Sequence, residues 1–459
     1  MVADDILKSI SEFSNSLCFD NLPEKAVIAA KERIIDSLAC TLGSFSCRAG
    51  VIARKHAGPA ASQQYAGCIV GQKETVSADA AAFANTCMLR NLDFNDTYPG
   101  SHPTDAYGGL FALAPTAGNG VSGEALITAA VISHETIIRH VRAGNPSDRG
   151  FDQGTAIAMG VAAGAANLRG LTYEQTEHAV SIATVGNVHL RATRSGELSM
   201  WKGCATALAV RNAVQAILLA SDGMSGPPEP FCGRHGLADH YPSFKWIPYG
   251  LKADDFYIDK ANLKYWPVAN QMQAAAWCGI ELGKQIGVTQ IDSILVEANE
   301  FAHFESGSEP AKWDPQTKET ADHSLPYILA WGLMHGTIGA DAFDSEAYLS
   351  PEIRPFLNKI NVTINEQFTT EYPDEMHMRA TAKTKDGKEH VADILNPIGH
   401  PKNPMDWNDI ENKFMRLSEG FLGREEASKI FRLMHSMETI ENIAEVFNLI
   451  SAGNTEGIE

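Results

Sequence analysis

The chain has 459 residues, 44% hydrophobic and 20% charged, a balance that suits one large or two ordinary globular domains. Its formal net charge of −19 argues against nucleic acid or an anionic membrane as partner, because an acidic surface is repelled by phosphate. If the ligand is an anion, its site must be a local basic exception.

The N-terminal run MVADDILKSISEF carries Asp4 and Asp5 and has no apolar core, so it reads as neither a secretory signal nor an Arg-rich transit peptide. A cytoplasmic location is expected. No run of about 18 uncharged apolar residues occurs, so no membrane span is expected.

Ile6, Ile10, Phe13 and Leu17 recur at helical spacing. A second helix is expected over 23–42, opened by Pro23 and stopped at Gly43. Residues 80–89 are Ala-rich, with Ser77 or Asp79 as N-cap. Residues 155–168 read as a buried helix whose Gly160, Ala163 and Gly164 admit a close neighbour. Thr172 and Gln175 form a capping box, and 200–220 reads as another buried helix. After about 257 the pattern changes. Residues 291–298, 359–364 and 378–383 are β-prone, and KDGK at 385–388 reads as a hairpin turn. Helices return at 407–421, 424–437 and 439–449, and 451–459 read as a disordered tail. Three segments are expected: 1–257 helical, 258–400 a smaller α/β unit, and 401–459 helices rejoining the first.

The eight cysteines (Cys18, Cys40, Cys47, Cys68, Cys87, Cys204, Cys232 and Cys278) include no CxxC pair. They read as reduced, mostly core thiols and offer no grouped ligands for an iron–sulfur cluster.

Two stretches carry chemistry. LDFNDTYPGSHP at 92–103 brings Asp93, Asp96, Thr97 and His102 into one loop, as a catalytic loop or as a turn capped by Asp96 and Thr97. LRATRSGELSMWKG at 190–203 holds Arg191, Arg194 and Lys202 against the single acid Glu197, with Gly196 and Gly203 for close backbone approach. Arg139, His140, Arg142 and Arg149 read as a surface feature. In DHSLPY at 322–327, His323 and Ser324 can cap a helix, and Tyr327 fits a core or a catalytic place equally. Without a phosphate loop, HExxH or GxSxG, acid–base chemistry by side chains is left.

LDFNDTYPGSHP, then RSGELSMWKG with its small-residue helix and GMSGP, then ADHSLPY, in this order over about 5–450, resemble the MmgE/PrpD family. That family includes 2-methylcitrate dehydratase, cis-aconitate decarboxylase and iminodisuccinate epimerase. The resemblance implies a mainly α fold, with a large discontinuous helical domain and a smaller α/β lid. It also implies a homodimer without metal or organic cofactor. By motif, Asp93, Thr97, His102, Lys202 and Tyr327 match catalytic positions. Arg191, Arg194, Asp152, Gln153, Gln271 and His323 are assigned to substrate binding. The chain departs from its relatives at Phe151-Asp152-Gln153 and at Asn270, Gln271 and Gln273, where histidines are expected. The implied activity is water elimination from a citrate-like acid, with His102 oriented by Asp93, Arg191 and Arg194 holding carboxylates, Lys202 stabilising the enolate or shuttling a proton, and Tyr327 protonating the leaving group or hydrogen-bonding the substrate. Decarboxylation or epimerisation of a related acid, and a non-catalytic carboxylate-binding dimer, are the alternatives.

Overall fold

A computed structural model describes residues 4–118, 120–195 and 198–453; Gly196, Glu197 and 454–459 lie outside the described residues. The chain is 59% helical with 9% in strands, so it is mainly α. Helices Asp5–Ser16, Glu24–Gly43, Ala78–Arg90, Gly123–Ala143, Gly154–Leu168, Tyr173–Val185 and Trp201–Ser221 build the first body. Helices Trp407–Leu422, Arg424–His435 and Ala444–Gly453 return to it, the first of them packing on Glu24–Gly43. Ser451, expected in a disordered tail, instead lies buried in the last turn of the Ala444–Gly453 helix, its hydroxyl donating to the Gln72 carbonyl at 2.9 Å.

Local signals explain several ends. Thr172 and Gln175 satisfy each other's backbone N–H groups, at 3.2 and 3.0 Å, as a full capping box. Pro23 occupies the N-cap of Glu24–Gly43. The Trp201–Ser221 helix is long and apolar enough by composition to cross a membrane, but 67% of its apolar window is buried among other helices.

Strands β1 (Ala66–Cys68) and β2 (Thr75–Ser77) form a small antiparallel pair. Strands β3 (Ile291–Ala298), β4 (Ile360–Ile364), β5 (His377–Thr384) and β6 (Glu389–Leu395) form a sheet of order β4-β3-β5-β6. β3 and β4 run parallel; the other pairs are antiparallel. Gly387, at φ +85°, makes the β5–β6 turn. Helix Met272–Gln285 packs on β5, β6 and the Leu325–His335 helix.

Buried apolar side chains divide into two clusters. One runs from Ile6 to Leu263 and resumes from Met405 to Ile450. The other runs from Trp266 to Ala392.

Small residues set the tightest contact. A Cβ on Gly160 would lie 2.3 Å from Ile137, and one on Gly164 2.1 Å from the Ser133 hydroxyl and 2.5 Å from the Ala129 carbonyl. Helices Gly123–Ala143 and Gly154–Leu168 therefore pack almost backbone to backbone. Gly123–Ala143 also corrects an expectation. Arg139 and His140 are buried, not superficial. Arg139 pairs with Glu135 and donates to the Asp255 carbonyl at 2.9 Å. His140 meets the Tyr241 hydroxyl at 3.0 Å. Only Arg142 and Arg149 of that group are exposed.

Two substitutions test this packing by thermal denaturation. Gly164→Ala should destabilise by about 1–3 kcal/mol through overpacking. Gly420→Ala, on an exposed helical site with nothing within 4 Å, should stabilise by about 0.5–1 kcal/mol.

Candidate active site

Between the two apolar clusters lies a cleft of about 1020 Å³, including its open mouth. The first body contributes Asp93, Thr97, His102, Asp152, Gln153, Arg191, Arg194 and Lys202; the smaller unit contributes Gln271, Phe301, Glu305, Lys312, His323 and Tyr372. Imidazole 102 and ammonium 202 thus share one cavity despite their separation in sequence. Of the eleven residues that the resemblance assigns to catalysis or substrate binding, only Tyr327 is missing from its lining.

Asp93 organises the floor. The Ala78–Arg90 helix ends just before it, and Asp93 sits at φ +47°, a conformation Asp tolerates better than most residues but at a cost. Its buried carboxylate meets Lys202 Nζ at 3.1 Å, Lys264 Nζ at 2.9 Å and Arg90 at 2.9 Å. Lys264 also donates to the Asp93 carbonyl at 2.6 Å. Burial alone would raise the Asp93 pKa; Lys202, Lys264 and Arg90 overcome it and hold the carboxyl well below its usual range. Burial pulls the Lys202 ammonium down to about 8, with Asp93 and Asp322 resisting and Arg90 assisting. Lys264 is lowered for the same first reason. The sequence reading missed Lys264 and Arg90, since nothing local marks a lysine or a helix-end arginine as buried beside a carboxylate.

The rest of the loop is fixed by buried polar bonds. Asp96 accepts from the Thr104 N–H at 3.0 Å and hydroxyl at 2.6 Å, and from His134 Nε2 at 2.8 Å. Asp96 therefore caps, as one reading of the loop allowed. Thr97 exchanges backbone bonds with Asn262, at 2.9 and 2.7 Å, and lines the cleft.

His102 is oriented differently from expectation. Its Nδ1 lies 2.7 Å from the Asp96 backbone carbonyl, not on the Asp93 carboxylate, which the cations occupy. A carbonyl can only accept, so Nδ1 carries the proton and Nε2 is left as a base. Burial, Arg90 and Lys264 push the imidazole pKa well below its usual value and keep it neutral. Gln153 accepts the His102 backbone N–H at 2.5 Å.

His323 is the second neutral imidazole. Its Nδ1 donates to Asp322, and its Nε2 stands 3.9 Å from Asp93. Burial and Lys202 take its pKa down to about 4. The cap of the following helix comes from Ser324 alone, which accepts from the Tyr327 N–H at 3.2 Å.

The two arginines are already partnered. Arg194 forks onto Asp152 at 2.5 and 3.3 Å. Arg191 donates to the Ser147 hydroxyl at 2.6 Å and reaches Glu305 at 3.3 Å. Gln271 is buried and accepts weakly from Asn299 at 3.4 Å, while Gln273 braces the backbone at Tyr265, Trp266 and Val268.

Tyr327 requires correction. It is fully buried in the smaller unit, its hydroxyl donates to the Ala342 carbonyl, and burial raises its pKa, so it is a core residue. All eight cysteines are free, four of them buried. Among the described residues no group of three or more His, Cys, Asp or Glu side chains is placed to hold a metal ion.

Two variants separate these roles. Asp93→Asn leaves three buried cations around a neutral amide; it should cost on the order of 3–5 kcal/mol in denaturant unfolding and move Lys202 below about 8. Tyr327→Phe should cost about 1–3 kcal/mol of stability through the stranded carbonyl, with ligand affinity unchanged by calorimetry.

The chain is 29% identical over 358 residues to 2-methylcitrate dehydratase of Escherichia coli (strain K12), covering 71% of this chain and 72% of that protein. It is 20% identical over 474 residues to cis-aconitate decarboxylase of Homo sapiens, covering 98% and 95%. It is 26% identical over 420 residues to alkylcitrate dehydratase phiI of a fungal species, covering 84% and 82%. The MmgE/PrpD N-terminal domain matches residues 8–245 and the MmgE/PrpD C-terminal domain residues 266–439, and the chain therefore belongs to the MmgE/PrpD family.

Proposed function

We propose that the protein is a lyase that eliminates water from a citrate-like acid, of the 2-methylcitrate dehydratase kind, using side-chain acid–base chemistry. One observation carries the reading: a neutral imidazole with an unprotonated Nε2 and an ammonium brought down to about 8 line the same cleft. Three of the relatives described above bear on it, two named dehydratases and one a decarboxylase.

His102 Nε2 takes the proton from the carbon next to a carboxylate. The electron pair moves into that carboxylate, where Lys202 offsets the developing charge. The β-hydroxyl then leaves with a proton from Lys202, and a carbon–carbon double bond forms. An acid with a pKa near working pH suits that transfer. Asp93, Lys264 and Arg90 hold Lys202 in place. Arg194 and Asp152 act as one paired unit that shapes the wall, which leaves Arg194 no free fork for a substrate carboxylate. The smaller unit serves as the lid, and the working protein is a homodimer in the cytoplasm that needs no cofactor.

The test is ultraviolet absorbance of the unsaturated product from 2-methylcitrate. His102→Gln and Lys202→Met should each lower kcat/KM by about 10²-fold or more. Activity needs Lys202 protonated, so kcat/KM should fall as pH rises through about 8. It should not fall on acidification to about pH 6, because His102 is already neutral there. Folded protein inactive on every citrate-like acid would end the proposal; CO₂ release from cis-aconitate without water elimination would replace it with the decarboxylase reading.

A further inference from the structure

Most cations facing the cleft already have a counter-charge. Arg194 has Asp152, Arg191 has Glu305, and Lys202 has Asp93. Lys312 differs. It lines the cleft from the smaller unit, is only 5% exposed, and forms no ion pair among the described residues. Glu309, Asp322 and Glu305 act on it only through space.

Its position is fixed by backbone. The Lys312 N–H donates to the Glu309 carbonyl at 3.0 Å, and its own carbonyl accepts the Ser324 hydroxyl, next to His323. Holding an ammonium largely out of water, at a cleft wall and without a carboxylate partner, costs stability. Burial also pushes its pKa down, a cost that an arriving anion reverses. A charge kept at such cost beside a ligand cavity points to a ligand.

We infer that Lys312 binds a second carboxylate of the substrate, remote from the reacting carbon, and thereby selects di- and tricarboxylic acids over hydroxy acids with a single carboxylate. The role of the first carboxylate rests on the lyase reading above. Lys312 supplies the second pole from the smaller unit, whereas Lys202 comes from the first body. Being remote from bond breaking, it should contribute equally to the ground state and the transition state.

The probe is tricarballylate, a tricarboxylate with no hydroxyl to eliminate, titrated by calorimetry. Lys312→Met should weaken its binding by about tenfold or more, and Lys312→Arg by much less. With 2-methylcitrate, Lys312→Met should raise KM with kcat nearly unchanged, the mark of uniform binding. Wild-type affinity in Lys312→Met overturns the inference, as does failure of the wild-type protein to bind tricarballylate. A fall in kcat alone overturns it too. Lys312-dependent binding without turnover of any acid leaves the subsite standing and removes the lyase reading. Turnover of 2-methylcitrate that is indifferent to Lys312→Met does the reverse. Should the variant misfold, reductive methylation of wild-type lysines decides: tricarballylate should protect Lys312, and no protection overturns the assignment.

Discussion

A single buried carboxylate, Asp93, sets the terms for the site. It sits where the backbone turns left-handed and gathers Lys202, Lys264 and Arg90 around it, within 2.9–3.1 Å. Each cation alone would be costly to bury, and so would the carboxylate. Together three cations face one carboxylate, an excess of two positive charges that Asp105, 3.3 Å from Arg90, offsets only in part, in a protein of net charge −19. That is the local basic exception an acid-binding site needs.

The same cluster ties together distant parts of the chain. Arg90 ends the Ala78–Arg90 helix, Lys202 opens Trp201–Ser221, and Lys264 lies in the connection to the smaller unit. Lys413, from the returning Trp407–Leu422 helix, pairs with Asp36 at 2.5 Å and donates to the carbonyls of Phe94 and Lys264, each at 2.8 Å. Lys318 of the smaller unit donates to the Asn91 carbonyl at 3.0 Å. The loop carrying Asp93 and His102 is therefore braced from the first body, the C-terminal helices and the smaller unit. Such support holds the loop's side chains in a fixed geometry.

Charge also explains the state of the two histidines. His102 and His323 lie among cations in a desolvated cleft, and both remain neutral. In each, an acceptor fixes the proton on Nδ1, the Asp96 carbonyl for one and Asp322 for the other. The proton that such a site can give away near neutral pH then belongs to Lys202.

The sequence by itself determined the mainly α fold, the capping box at Thr172, the close helix contact at Gly160 and Gly164, three of the four strands of the larger sheet, and which two stretches bear chemistry. These are legible because helical period, caps and small-residue spacing are local properties. Tertiary structure alone decided the partners. Arg194 turned out to be held by Asp152, His102 by a backbone carbonyl, and Tyr327 by the core. It also revealed Lys264 and Arg90 beside Asp93 and left Lys312 without an ion pair among the described residues. The reason is physical: burial and the distances between charges fix what an ionisable side chain does, and both arise only when residues far apart in the chain are brought together.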